Sequence, residues 1–381
     1  MNRALILVGL ACLLASAQTW DTLAPLPEPR YSGAAVPFDN MVYYLGGSVI
    51  GGVKTASVFA YNPAADSWTI GDSMLTARHR FGAVALLGRI YVFGGWGHGG
   101  VLLNSAECYD STTHTWTAIE TMPTPRASLF SGAANGKVYA IGGWNGTSAV
   151  DAVEAFDPAT GHWTQLRPMP FPRSEGITGT PDNTMVCIGG TTNGSDVLDR
   201  VDRYDPAQDT WYDCTSIPVA RFAGAGATET HKVYVYGGVG PDGTNTHAAH
   251  RYWLNAWVET FSIPSSRRYL AGCYSLPSAY AIGGLDSLMQ PTALVEALEL
   301  PMAIEEEWSR PLPAQPASMV RDRWFNRSAE PGVLCDASGR AVLTLQPGAN
   351  DLSRLPSGVY ISVTHDRSGG VSSATRITKL R

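Results

Sequence analysis

Short apolar runs that alternate with polar positions recur along the chain, and turn residues separate them. Within 81–119 the runs are FGAVALL, RIYVF, SAECYD and HTWTAI, with turn signals at LGR, GGWGHGG and STT. Apolar alternation with a period of two residues is typical of half-buried strands, and glycine-rich segments are typical of the turns between them. The pattern therefore predicts a sheet of four short strands, and it indicates no long helix.

This unit is repeated six times, and three of its positions keep constant intervals. Each copy has a glycine doublet after its second apolar run, an arginine 16 residues before the doublet and a tryptophan 10 residues before that arginine. The doublets begin at Gly46, Gly94, Gly142, Gly189, Gly237 and Gly283. The arginines are Arg30, Arg78, Arg126, Arg173, Arg221 and Arg267, and the tryptophans are Trp20, Trp68, Trp116, Trp163, Trp211 and Trp257. All variation in length falls between the doublet and the next tryptophan, which predicts loops there.

Six repeated sheets predict an all-β fold, a six-bladed propeller over residues 18–301. A lone four-stranded sheet has two apolar faces and two bare edges, so the copies must stack, and a closed ring leaves only short edges. The first strand of each unit is rich in Gly and Ala, as an innermost strand near the axis must be. The fourth strand carries the tryptophan, which we expect to be buried between neighbouring sheets.

Two closures of the ring are compatible with the sequence. Trp20 opens an unpaired fourth strand near the amino terminus, while the sixth unit supplies only its first three strands, ending near residue 300. Alternatively Trp308 belongs to the sixth blade's own fourth strand, but it follows Gly283 by 25 residues, whereas the interval is 20 to 22 elsewhere. We therefore favour closure by the amino-terminal strand.

The repeated unit resembles the kelch repeat. The shared pattern is an Arg, then an apolar hairpin that ends in GG, and then an aromatic residue followed by Asp-Pro and Trp, as in VYAIGGWNG…VEAFDPATGHW. The resemblance covers residues 20 to about 301 and implies a propeller whose face loops contact ligands. The chain is also similar in architecture to secreted bacterial sialic-acid mutarotases, which implies a sugar mutarotase as an alternative function. Galactose-oxidase-like enzymes have seven blades and a copper site with a Cys-Tyr crosslink, and the six copies argue against that class.

The candidate ligand-binding residues lie where two kinds of connection meet. In an antiparallel blade the fourth-to-first and second-to-third connections leave from the same side, so the arginine segments and the segments after GG share one face. Residues there that differ between copies are the better indicators of a ligand. They are His79, Arg80, Trp96, Trp144, Glu175 and Phe222.

Two interpretations of the six repeated arginines remain open. They could form a ring of donors at the channel mouth for carboxylates or sugar hydroxyls, with Trp96 and Trp144 as stacking surfaces. They could equally anchor loop carbonyls of adjacent blades, which would explain why every copy has one.

The sequence contains little that indicates catalysis, a metal or a cofactor. Glu175 is the single carboxylate in the pairs of residues that follow the arginines, and it is the only catalytic candidate. His247 and His250 lack a third ligand for zinc, and the cysteines lack CxxC spacing, which favours small buried side chains over metal ligands or a disulfide framework. We predict no metal and no cofactor.

Both ends of the chain indicate export. Residues 1–17 have a short basic start, an apolar run and an Ala-Ser-Ala site, as in a secretory signal peptide. Residues 302–318 are acidic and then rich in proline, as in a linker. Residues 319–381 contain DASGR, DLSRLPSGVY and a basic end, which resemble the C-terminal sorting domain of bacterial type IX secretion; an ordinary β module for adhesion is the alternative. We expect a small β-sandwich there.

The charge and hydropathy of the chain limit the kinds of partner that we expect. The net charge is −6 and forms no basic footprint, which argues against nucleic acid. The chain has no apolar segment of the roughly 20 residues that span a bilayer. The sequence thus predicts a monomeric, secreted or surface-attached binding module for extracellular carbohydrate or protein, with the secretion machinery as a further partner.

Overall fold

The computed structural model describes residues 19–300 and, beyond them, 318–320, 323–326, 332–336, 341–346, 348–352, 358–365 and 371–379. Residues 19–300 form six antiparallel sheets of four strands each, which are the six blades of a propeller. No helix in the part of the chain that the structure describes is long and apolar enough to cross a membrane.

The strands of blades 1 to 5 follow one another in chain order. Blade 1 contains β2 (Ala34–Phe38), β3 (Met41–Leu45), β4 (Val58–Asn62) and β5 (Ser67–Gly71). Blade 2 contains β6 (Gly82–Leu86), β7 (Arg89–Phe93), β8 (Ala106–Asp110) and β9 (Thr115–Ile119). Blade 3 contains β10 (Phe130–Ala134), β11 (Lys137–Ile141), β12 (Val153–Asp157) and β13 (His162–Gln165). Blade 4 contains β14 (Ile177–Gly179), β15 (Met185–Ile188), β16 (Val201–Asp205) and β17 (Thr210–Cys214). Blade 5 contains β18 (Ala225–Glu229), β19 (Lys232–Tyr236), β20 (Ala249–Trp253) and β21 (Ala256–Glu259).

Blade 6 is completed by the amino-terminal strand. It contains β22 (Ala271–Ser275), β23 (Ser278–Ile282) and β24 (Val295–Glu299), and its outer strand is β1 (Trp20–Thr22). Trp20 pairs with Leu298 in antiparallel register. The predicted closure is therefore confirmed, and the two ends of the propeller are joined by backbone hydrogen bonds within one sheet.

The first strands form the inner wall of the ring. Each of β2, β6, β10, β14, β18 and β22 contacts the first strand of both neighbouring blades, and β22 contacts β2 to close the circle. Small residues are required there because a side chain would collide with the next blade; a Cβ on Gly272 would lie 2.7 Å from the Ala225 Cβ. This confirms the expected taper toward the axis.

The outer strands connect the blades through their tryptophans. In every blade the indole N–H of this tryptophan donates to a backbone carbonyl of the preceding blade's end, as from Trp116 to Asp72 at 2.8 Å. The prediction that these tryptophans are fully buried is wrong for most of them. Trp116 is 8% exposed, whereas the other five are half-buried, because the outer strands lie where the blades diverge from one another.

The described residues of the carboxyl-terminal region form seven further strands. They are β25 (Ser318–Val320), β26 (Arg323–Asn326), β27 (Gly332–Asp336), β28 (Ala341–Leu345), β29 (Gly348–Asp351), β30 (Gly358–His365) and β31 (Val371–Lys379). One sheet has the order β25-β31-β30-β27-β28, and β26 pairs with β29. The sandwich remains a prediction. The predicted signal peptide (1–17) and all but the last residue of the predicted linker (302–318) lie outside the described residues.

Candidate functional site

The arginine segments and the segments after GG meet on one face of the propeller, as predicted. In each blade the residue after the arginine forms a β-bridge with the residue after the doublet, for example His79 with Trp96 and Ala127 with Trp144. We call this side the loop face. It brings the candidate residues of six blades onto one surface around the axis.

The six arginines do not form an open ring of donors. All are between 0% and 2% exposed. In four blades the guanidinium donates to the carbonyl of the first glycine in the doublet that follows it, as from Arg78 to Gly94 at 2.8 Å. The arginine's own carbonyl accepts the N–H of the second glycine in the preceding blade, as from Gly47 to Arg78 at 2.9 Å. Arg30, Arg78, Arg126, Arg173, Arg221 and Arg267 therefore hold adjacent blades together, as the anchoring interpretation requires, and they do not form the alternative ring of ligand donors.

Acidic partners of these arginines were missed at the sequence level. A residue on the third strand, 29 positions after the arginine or 28 in blade 3, faces the guanidinium. It is a buried carboxylate in four blades: Glu107, Glu154, Asp202 and Glu296. In blade 5 it is His250, whose Nδ1 lies 3.0 Å from the Arg221 Nη2, and in blade 1 it is Phe59, whose ring stacks on Arg30. The nearly constant interval, 28 residues in blade 3 and 29 in the other five blades, was the signal that could have revealed them.

The residues two positions after the arginines form a closed circle around the axis. They are Ser32, Arg80, Ser128, Glu175, Ala223 and Tyr269. Each adopts φ between 52° and 55°, the left-handed region. Each N–H donates to the carbonyl of the equivalent residue in the preceding blade at 2.6 to 2.9 Å, and Ser32 closes the circle on Tyr269. This axial ring satisfies its own backbone groups, so a non-glycine residue is held at a positive φ in every blade.

Large and small side chains alternate around the axial ring. Blades 2, 4 and 6 contribute Arg80, Glu175 and Tyr269, and the blades between them contribute Ser32, Ser128 and Ala223. The three large residues form one cluster, which we call the axial cluster. Arg80 donates to Glu175 in a short ion pair, the Tyr269 hydroxyl donates to the other Glu175 oxygen at 3.0 Å, and the Arg80 guanidinium lies 4.3 Å from the centre of the Tyr269 ring.

A cavity of about 140 Å³ surrounds this cluster at the axis. Its lining is formed by the axial ring and by the residues that follow it, including Phe81, Leu129 and Leu270. The Glu175 side chain is 11% exposed and that of Arg80 is 28% exposed. Burial and the Glu175 carboxylate raise the pKa of Tyr269 to about 12, although Arg80 opposes this, so its hydroxyl keeps its proton at neutral pH.

The other candidates lie around this centre. His79 is half-buried, and its Nδ1 lies 2.8 Å from the Ser48 hydroxyl. Burial, reinforced by Arg80 and Lys54, lowers the pKa of His79 to about 3, so it is neutral. Phe222 is buried against Val239 and Ala223 and is unavailable to a ligand. Trp96 and Trp144 are half-buried on the loop face, where a ligand can reach them.

The chain thus brings Arg80 and Glu175, 95 positions apart, into direct contact, with Trp96 and Trp144 further out on the same face. Tyr269 was not among the candidates, although it occupies the same position after its arginine as they do. The position of Tyr269 within the repeat could therefore have indicated it as a candidate.

Face loops of blades 6, 1 and 2 carry exposed aliphatic side chains. These are Leu288 (77% exposed), Met289 (51%), Ile50 (73%), Val53 (55%) and Val101 (58%). The corresponding loops of blades 3, 4 and 5 expose polar residues and glycine, as in Asn145–Ser148. One side of the loop face is therefore apolar and the other is polar.

Six four-stranded blades with this Arg and GG register define a kelch-repeat propeller. The chain belongs to the KLHDC2/KLHL20/DRC7 Kelch-repeats domain family, which it matches over residues 32–238, more than half of its length. Proteins with this domain are generally interaction modules.

Two curated proteins resemble shorter stretches of the chain. Kelch-like protein 38 of Rattus norvegicus is 38% identical over 72 residues, which is 18% of this chain and 12% of that protein. Kelch-like protein 35 of Mus musculus is 38% identical over 52 residues, 14% of this chain and 9% of that protein. The chain therefore matches only about a tenth of the length of either relative.

Among solved structures, that of YjhT superposes with a TM-score of 0.65 at 17% identity, over 73% of this chain and 97% of that one. At this identity the likeness concerns the fold alone.

Proposed function

We propose that the chain is a binding module that acts outside the cell, and that its ligand, an extracellular carbohydrate or protein, docks on the loop face over the axial cavity. The axial cluster carries this proposal. Three polar side chains from alternate blades converge on one cavity, although the repeat itself does not require any of them. Convergent polar groups in a concave site are typical of ligand binding.

The surroundings of the cavity support the same proposal. Trp96 and Trp144 offer aromatic surface at its periphery, and the aliphatic loops of blades 6, 1 and 2 add exposed apolar surface. Exposed apolar groups that lie together are characteristic of binding surfaces, and aromatic residues contribute much of the affinity of such contacts.

A glycan array and a peptide library, each probed with the full chain, would provide the ligand for the test. The double variant Trp96→Ala/Trp144→Ala is expected to weaken binding at least about tenfold, because truncating buried aromatic contacts typically has effects of this size. Leu87→Ser is the matched control, since Leu87 is 73% exposed on the β6–β7 turn of the opposite face. Equal affinities of wild type and double variant would refute docking on the loop face.

Export is a separate part of the proposal. The signal-peptide pattern of residues 1–17 and the sorting-type pattern of residues 319–381 support secretion or attachment at the outer cell surface. Removing residues 319–381 is expected to leave the protein in the periplasm, as measured by fractionation of the producing bacterium. Unchanged delivery to the surface or medium would contradict the sorting role.

A sugar mutarotase is the second candidate function, favoured by the chemistry of the axial cluster. Mutarotation removes a proton from the anomeric hydroxyl and returns one to the ring oxygen during ring opening. Glu175 as a carboxylate and Tyr269 as a protonated phenol are a base and an acid in contact, at 3.0 Å. Proton NMR of freshly dissolved α-anomers would show faster equilibration with the protein, and the rate would fall to the buffer rate in Glu175→Gln.

A further inference from the structure

The charges of the axial cavity cancel. Among the residues that line it, Arg80 is the cation and Glu175 is the anion, and they pair directly with each other. The Glu175 carboxylate also accepts the Tyr269 hydroxyl. An acidic ligand would therefore have to displace Glu175 from Arg80 or lie against its negative charge.

Two buried polar atoms of the cavity lining have no hydrogen-bond partner among the described residues. They are the Ser32 hydroxyl oxygen and the Arg80 Nε. The Nε–H can only donate, whereas the serine hydroxyl can donate and accept. Hydroxyl groups of a ligand match both needs, because each can accept from one atom and donate to another.

Three large apolar side chains also line the cavity. Phe81 of blade 2 is 8% exposed and Leu270 of blade 6 is 5% exposed, and blade 3 contributes Leu129. A volume of about 140 Å³ is below the roughly 300 Å³ at which drug-sized sites begin. The cavity therefore admits one small ring with hydroxyls at its edge and C–H groups on its faces.

We propose that the axial cavity binds a single neutral pyranose unit and discriminates against sugar acids, with Arg80, Glu175 and Ser32 as its specificity-determining residues. This inference rests on the proposed function, since it names the ligand class of the same site. The charge balance carries it: a neutral sugar uses the paired cation and anion as fixed donor and acceptor, whereas an acid must displace Glu175 from Arg80 or lie against its carboxylate.

Matched glycosides test this selectivity. The probes are methyl hexopyranosides of gluco, galacto and manno configuration and the corresponding methyl hexopyranosiduronates, whose anomeric centres cannot open. Titration of the full chain, followed by ligand-observed NMR and calorimetry, is expected to show at least one neutral glycoside that binds about tenfold or more tightly than its uronate. A wild-type preference for uronates, or no binding of any glycoside, would overturn the inference.

Glu175→Gln provides the decisive variant. It removes the negative charge with little change of shape and leaves the Arg80 charge unpaired, so the ratio of uronate to neutral affinity is expected to rise at least about tenfold. Ser32→Ala is expected to weaken the binding of neutral glycosides severalfold without altering the ratio of uronate to neutral affinity. Glu259→Gln, at an exposed glutamate at the end of β21, is the matched control and should leave both affinities unchanged.

The outcomes separate this inference from the proposed function. An unchanged ratio in a folded Glu175→Gln protein overturns the inference, and the wild-type comparison decides it if that variant does not fold. Binding of another ligand that is lost in Trp96→Ala/Trp144→Ala, without any glycoside in the cavity, would overturn the inference and leave the proposed function intact.

Discussion

Replacing His250 by glutamate is expected to stabilise the propeller, because Arg221 is the buried arginine whose partner at this position is a histidine. The Arg221 Nη2 lies 3.0 Å from the His250 Nδ1, whereas four other blades place a carboxylate there. Burial without a facing carboxylate lowers the pKa of Arg221 to about 10. Since four blades accommodate an acidic side chain at the same position, the glutamate is expected to fit.

The size of the effect follows from this pKa. The difference between 12.5 and about 10 corresponds to roughly 3 kcal/mol of unfavourable burial of the charged guanidinium. A carboxylate must itself be desolvated, so only part of this is recovered. We expect His250→Glu to raise the free energy of unfolding by about 1 to 3 kcal/mol at pH 7.

Acid sensitivity gives a second observable at the same residue. Burial, with a smaller contribution from the Arg221 charge, lowers the pKa of His250 to about 4, against 6.5 for the ordinary residue. Between these pH values the unfolded chain binds the extra proton, so stability decreases as the pH falls from about 6.5 to 4 and is unaffected above that range. His250→Gln cannot titrate and should lose this part of the decrease, up to about 3 kcal/mol.

Urea unfolding followed by tryptophan fluorescence at pH 7 and pH 5 measures both effects, with the denaturant slope checked for constancy. His98→Glu, at an exposed histidine of the loop face, is the matched control and should change stability by less than about 0.5 kcal/mol. The reasoning would be refuted if His250→Glu unfolded at lower urea with an unchanged slope, or if His250→Gln retained the full acid sensitivity of the wild type.

Two further predictions concern the contacts between blades. Gly94→Ala should reduce the free energy of unfolding by about 2 to 4 kcal/mol, because φ is +66° and the added Cβ would lie 2.5 Å from the Arg126 carbonyl oxygen. Gly88→Ala is the matched control: φ is +72° but the Cβ would enter open space, so the free energy of unfolding should fall by only about 1 kcal/mol. Equal melting temperatures of the two variants would contradict this. Trp116→Ala should reduce the free energy of unfolding by about 3 to 5 kcal/mol, since the residue is 8% exposed and bonded to Asp72; a loss below 1 kcal/mol in urea unfolding would contradict the packing.

The prediction of the fold from sequence succeeded because the repeat is constrained at the level of single residues. In every blade a Cβ on the first glycine of the doublet would collide with the carbonyl of the next arginine, and the second glycine adopts φ between 89° and 105°, so both positions need a residue without a Cβ. The unpaired strand of Trp20 could be assigned because a sheet of three strands in one blade left a defined vacancy for a fourth. Local pattern and blade count together determined the ring.

The candidate site was predicted only in part. Arg80 and Glu175 were singled out because they differ between copies, and the structure brings them together. Phe222 differs between copies too, but it packs inward against Val239. A comparison of copies indicates which positions are free to vary, but it does not reveal which way their side chains point.

The sequence by itself determined the number of blades, the loop face and the residues that vary on it, and it favoured one of two closing strands, because all of these depend on intervals along the chain. Only the tertiary structure decided the roles of the arginines. A guanidinium that recurs in every blade could donate hydrogen bonds either to a ligand or to a backbone carbonyl. Which of the two it reaches depends on how the neighbouring blade packs against it. The axial cluster likewise exists only after closure, because Arg80, Glu175 and Tyr269 come from alternate blades and meet only where six blades converge on one axis.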